Sequence, residues 1–182
     1  MKRFQRFVDS LHPYLLSSIA SVLTVAQVVL AFLICRPQSV VLVWIGQVCL
    51  GMSSIFGVWP ILVFRRKGGV AKGKSYIRTT RLVDSGLYAI VRHPQNGTAW
   101  LLINLGIASI AQHWSSWVLG LASMALVYVD TFKADQGCIE KFGDAYRAYM
   151  RRVPRVNFLL GLVRLVWHTA KAASATDEGG LK

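Results

Sequence analysis

Acidic residues are scarce in this sequence: 8 Asp and Glu stand against 21 Lys and Arg, a formal net charge of +13. A deficit of that size raises a polyanion-binding protein as a candidate, and the position of the charges decides against it. Lys and Arg are nearly absent from four long apolar runs and crowd the segments between and after them, as in membrane proteins. Nucleic acid is therefore not an expected partner. Cysteine is scarcer still. Cys35, Cys49 and Cys138 have no metal-like spacing and make no case for a disulfide, so no metal is expected and all three read as reduced and structural. A signal-peptide pattern is also missing: the apolar stretch after the basic Met1 to Phe7 is too long for a signal core, and no small-residue cleavage site stands out. It reads as an uncleaved first span.

What the chain has in abundance is hydrophobicity, 54% of its 182 residues. The first run, Leu15 to Cys35, is uncharged and as a helix spans roughly 31 Å, the thickness of a hydrocarbon core. The second, Val40 to Phe64, carries Trp44 and Trp59 towards its ends, where amphipathic rings favour the headgroups, and stops at Arg65-Arg66-Lys67. Pro60 is expected to kink it. The third, Gly97 to Ala111, and the fourth, Trp114 to Val129, are separated only by Gln112 and His113 and read as a tight helical hairpin, because one long broken helix would be too long for a bilayer. Four crossings leave 20 of the 21 Lys and Arg on one side, which the positive-inside rule makes cytoplasmic, with both termini there. The expected fold is all-α, an integral membrane bundle of about four transmembrane helices in a single domain, 1–171. A cytoplasmic C-terminal helical segment follows the spans, and the small polar tail 172–182 is expected to be disordered. Asn96-Gly97-Thr98 matches a glycosylation acceptor but falls on the cytoplasmic side, where that machinery does not act. Small residues Gly51, Ser54 and Gly57 could mediate dimerisation, although such residues more often serve contacts within one chain.

Two cytoplasmic segments, 84–96 and 130–155, are richer than an anchor requires. In the first, Asp84-Ser85-Gly86 signals a turn, and Pro94 can open a helix without losing a needed donor. Arg92 and His93 then stand at a helix N-terminus, an electropositive place suited to a carboxylate. The plain alternative has Arg92 reaching lipid phosphate and His93 capping the helix. In the second, Asp135, Ile139, Phe142, Tyr146, Tyr149 and Val153 recur at helical spacing on one stripe, with Lys141, Asp144, Ala148, Arg151 and Arg155 opposite. One carboxylate and two tyrosines make that stripe more polar than packing needs, although an interfacial helix with Tyr at headgroup depth would look the same.

Together, Gly86-x-Tyr88-x-x-Val91-Arg92-His93-Pro94, an acidic position before Phe142-Gly143, and Tyr146-x-x-Tyr149-x-x-x-Val153-Pro154-Arg155 resemble the isoprenylcysteine carboxyl methyltransferase and phospholipid methyltransferase superfamily. The resemblance covers about the last hundred residues. It implies a helical membrane enzyme with a cytoplasmic pocket for S-adenosylmethionine, acting on a lipid or other lipophilic small molecule reached from the bilayer. It further implies Arg92 and Arg155 as catalytic residues, and Tyr88, Val91, Arg92, His93, Pro94, Asp135, Tyr146 and Tyr149 as cofactor-binding ones. The residue types suit a sulfonium cation with an amino-acid tail: Asp135 for the ammonium, Arg92 or His93 for the carboxylate, Tyr146 or Tyr149 for the charged sulfur. The chain departs from the family pattern at Asn96 and Thr98, where Tyr and Gly are usual, and at Ala134-Asp135, where a glutamate pair is usual. Those departures keep two other readings in view: a nicotinamide-dependent membrane reductase of related fold, and a non-catalytic membrane module.

Overall fold

The computed structural model describes residues 12, 14–34, 37–71, 73–75 and 79–167. The basic N-terminal segment, Cys35 and the tail 172–182 lie outside the described residues. Among those described there is helix and no strand. The helices are α1 (Leu15–Ile34), α2 (Val40–Lys67), the short α3 (Leu87–Ile90), a π-helical segment Pro94–Ala99 running into α4 (Trp100–Ala111), α5 (Trp114–Arg152) and α6 (Phe158–Trp167). Three of them, α1, α2 and α5, are long and apolar enough to cross a membrane.

The arrangement is apolar on the outside. Val22, Phe32, Val48 and Val58 are exposed, whereas Gln27, Asn104, Ser116, Ser123 and Thr131 are buried. Such an interior suits a bundle whose helices gain little from burying Leu, because lipid is as apolar as Leu, and hold together through close packing and hydrogen bonds. Gln27 of α1, wholly buried, donates from Nε2 to the carbonyls of Asn104 (2.9 Å) and Ser116 (3.1 Å). The Ser123 hydroxyl accepts from the Trp100 indole at 2.9 Å and bonds the Thr24 hydroxyl at 2.9 Å.

α2 and α4 meet backbone to backbone at Gly46 and Gly106. A Cβ on Gly46 would stand 2.7 Å from the Gly106 carbonyl, and one on Gly106 would stand 2.9 Å from the Gly46 carbonyl. Of the small residues singled out in α2, Gly57 faces Ala99 at 3.9 Å, Gly51 has nothing within 4 Å, and Ser54 bonds its own helix at Leu50. The α4–α5 turn is made by Gln112 in a left-handed conformation and His113 in an extended one. The Gln112 side chain clamps this turn to the start of α2, accepting from the Ser39 amide at 2.8 Å and donating to the Ser39 carbonyl at 2.8 Å.

The helices extend beyond the apolar runs, and the helical segment expected from Asp130 is continuous with the fourth run. The π-helical segment extends the third helical run back to Pro94, and α5 runs past Val129 to Arg152. Nothing stops α5 at residue 129, since no proline follows before Pro154 and Lys133, Ala134, Gln136, Glu140 and Lys141 are good helix formers. Its one interruption is Gly143, at φ 57° and ψ −132°, a conformation essentially reserved for glycine.

Candidate functional site: a carboxylate shared by two segments

Asp135 is almost wholly buried, and its two oxygens collect donors from three parts of the chain. Oδ1 accepts from Tyr146 Oη at 2.7 Å, His93 Nε2 at 2.8 Å and Arg92 Nη1 at 3.0 Å. Oδ2 accepts from Arg92 Nη1 at 3.0 Å and from Arg155 Nε at 2.9 Å and Nη2 at 2.8 Å. Backbone pairing sets this geometry. The amides of Arg92 and His93 donate to the carbonyls of Pro154 and Arg155, each at 3.0 Å, and the Thr98 hydroxyl donates to the Val156 carbonyl at 2.8 Å. Gly97 lies against Val156 where a Cβ would collide. Segment 92–98 and strap 153–156 are thus laced together, with Arg92 and Arg155 aimed at one carboxylate. Thr98, a departure from the resembling pattern, is part of the lacing.

The electrostatics are lopsided. Two guanidiniums, 8% and 17% exposed, share one carboxylate that is 3% exposed. Stacking compensates part of the excess: the Arg155 guanidinium carbon sits 3.5 Å from the centroid of the Phe132 ring. Arg92 Nε is buried with no hydrogen-bond partner among the described residues. Burial alone would raise the Asp135 carboxyl, but the hydrogen bond and charge of His93, then Tyr146 and Arg92, outweigh it and hold it at about 2. Burial first, and then the adjacent carboxylate, push the Tyr146 hydroxyl well above the usual phenol range, so it remains a donor.

A cavity of about 350 Å³ opens beside the cluster, of a size that takes a cofactor or drug-sized ligand. Tyr88, Arg92, His93, Pro94, Tyr146 and Tyr149, all expected at a site, line it. Tyr149 Oη donates to the Tyr88 carbonyl at 2.7 Å, and the Tyr88 ring stacks on Phe64 of α2 with centroids 4.8 Å apart. Two expected site residues, Asp135 and Arg155, stand behind the wall rather than on it. Val91 is elsewhere: it is fully buried in the core of Cys49, Phe56, Ala99 and Leu102. The expected role of Asp135, holding an ammonium, conflicts with its surroundings. A carboxylate offers about four lone-pair sites, and these are already taken.

Several wall residues were not foreseen. Thr79, Arg81, Leu82 and Val83 come from the loop after α2, where the only sequence sign was an apolar pair in a basic stretch. Ala134, Cys138 and Lys141 come from α5. They form a helical stripe one residue, about 100°, away from Asp135, Ile139 and Phe142, so Lys141 faces the cavity instead of lying opposite it. Arg155 likewise departs from the expected opposite face, because the helix ends before it and the strap turns it inward. Arg81, Arg92, His93 and Lys141 make the cavity wall basic, and no Asp or Glu among the described residues lines it. Comparison with protein family models, with curated proteins and with solved structures finds no match to this chain.

Proposed function

We propose that this chain is an integral membrane methyltransferase that crosses the bilayer four times, with a hairpin at Gln112-His113 and both termini cytoplasmic, and transfers a methyl group from S-adenosylmethionine to a lipophilic acceptor. The observation that carries the reading is the convergence of segments 86–94 and 146–155, distant in sequence, on one carboxylate beside a cavity of about 350 Å³. The cavity wall fits the cofactor's tail and its sulfur: the Arg92 and His93 side chains suit a carboxylate, and the Tyr146 and Tyr149 rings suit a sulfonium. When bound, the cofactor supplies the activated methyl. The protein's part is to align acceptor and methyl and to exclude water, a task that needs no covalent nucleophile. Asp135 acts here as a positioning residue that holds Arg92, His93 and Arg155 in place.

One observation favours a second reading, a nicotinamide-dependent reductase. A wall carrying Arg81, Arg92, His93 and Lys141 and no carboxylate suits the phosphates of a dinucleotide better than a cofactor with net positive charge. Calorimetry on the detergent-purified protein distinguishes the two. S-adenosylmethionine and S-adenosylhomocysteine should bind with micromolar affinity, and Ala134→Trp, which places a bulky ring in the cavity and keeps every residue of the Asp135 cluster, should abolish that binding. Binding of a nicotinamide dinucleotide alone would establish the second reading. Folded protein that binds none of the three would leave a non-catalytic module.

A further inference from the structure

α6 has a polarity pattern that suits lipid rather than water. Ten residues rise about 15 Å, half of a hydrocarbon core, so α6 is too short to cross. Its inner side is specific: the Phe158 ring lies 5.3 Å from Phe56 of α2, and Gly161 sits against the Ile90 carbonyl where any Cβ would collide. Its other side is apolar and open, with Leu159 at 63%, Val163 at 67%, Val166 at 65% and Trp167 at 70% exposure. Arg164 is the only charge in the helix. An apolar face this continuous on one short helix marks a contact surface.

Two features identify what covers it. Phe56 lies nine residues, about 13 Å along the helix, before the exposed Arg65-Arg66-Lys67 end of α2, so α6 begins at the depth of α2's apolar part. Beside it on α2, Ile55, Val58 and Trp59 are themselves more than half exposed, and the open face of α6 continues that surface. Arg65, Arg66 and Lys67 at the end of α2 and Arg164 in α6 are exposed and positively charged, as suits a surface beside lipid phosphates. We infer that α6 is seated in one leaflet of the bilayer, its Leu159, Val163, Val166 and Trp167 face covered by acyl chains. This rests on the chain residing in a membrane and not on its chemistry. Val156 and Asn157 join α6 directly to Arg155, so the leaflet sets the position of the strap that delivers Arg155 to Asp135.

The test uses the full chain in vesicles of phosphatidylcholine and phosphatidylglycerol, with native cysteines replaced by alanine and a nitroxide attached at position 163 or 166. Val48 on α2 and Arg147 on the polar surface serve as lipid and water references. Oxygen should collide with labels at 163 and 166 several-fold more effectively than a water-soluble nickel chelate does, as at 48, with the reverse at 147. Chelate access at 163 and 166 with 48 still lipid-like overturns the inference and leaves the membrane reading intact. Protection from both reagents overturns it in favour of a protein partner or second copy, and chelate access at 48 removes both readings. In the otherwise native chain, lipid brominated on its acyl chains should quench a smaller fraction of the tryptophan fluorescence after Trp167→Phe; an unchanged fraction would also count against the inference.

Discussion

Tyr146 donates its phenol proton to Asp135 at 2.7 Å across a separation of eleven residues within one nominal helix. Eleven residues of straight helix advance about 16 Å, far beyond a tyrosine's reach, so the chain must turn back between them. Gly143, at φ 57° and ψ −132°, is where it does. Its conformation costs an L side chain on the order of 1–3 kcal/mol, and an added Cβ would meet nothing within 4 Å, so strain and not collision is the obstacle. Gly143→Ala should lower stability by about that amount in thermal unfolding of the detergent-solubilised protein. Gly137→Ala, in the same helix with no positive φ and nothing within 4 Å, should be neutral or slightly stabilising. Equal effects of the two would remove the special role of Gly143.

Asp135 is the sole carboxylate among Arg92, Arg155 and His93 in its cluster. Asp135→Asn keeps the shape and removes the counter-charge of two buried guanidiniums, which should cost about 3–5 kcal/mol of stability. A loss below about 1 kcal/mol in denaturant or thermal unfolding would mean that the arginines are hydrated and the cluster is looser than its distances indicate.

The same carboxyl makes the fold acid-sensitive in a defined window. Its value falls from the ordinary 3.8 to about 2 on folding, so its contribution, about 2 kcal/mol, is fully present above pH 3.8 and disappears as pH falls through about 2. Unfolding midpoints followed from pH 6 down to about 2 should drop over that interval in the native chain. The Asp135→Asn variant should lack this step; a drop of the same size in the variant would assign it to other groups.

Tyr149→Phe removes the donor that satisfies the Tyr88 carbonyl at 2.7 Å in a buried position. Loss of a hydrogen bond of this kind costs about 0.5–1.5 kcal/mol, and Tyr88 should lose order where it stacks on Phe64. A near-neutral result would show that this hydrogen bond does not hold Tyr88 in place.

At the α2–α4 crossing, Gly46→Val should destabilise strongly, because its Cβ would lie 2.6 Å from Ile110 Cγ1 and 2.7 Å from the Gly106 carbonyl, a backbone atom that cannot move without parting the helices. Gly51→Val, with nothing within 4 Å, should leave the thermal midpoint nearly unchanged. Similar midpoints for both would place the crossing elsewhere.

Much of this protein is legible from its residues in order. Runs such as Leu15 to Cys35 declare helices because apolar length and the absence of charge are local properties, and three of the described helices meet the requirement for crossing a membrane. Tyr88, Arg92, His93, Asp135, Tyr146, Tyr149 and Arg155 are expected at a site by resemblance to a family's motifs, and the fold brings all seven to one region. Partnership was not legible. Whether Asp135 faces a ligand or four protein donor side chains depends on a turn at Gly143 and on hydrogen bonds between Arg92-His93 and Pro154-Arg155, groups about sixty residues apart. Periodicity treats residues 130–154 as one straight cylinder, and a single left-handed glycine invalidates that assumption for every residue beyond it. The sequence alone therefore determined which segments are apolar helices and which residue types gather near a site. Only the tertiary structure decided that Asp135 is enclosed, that Lys141 faces the cavity and that Val91 belongs to the core, because burial and charge pairing are set by what packs from elsewhere in the chain.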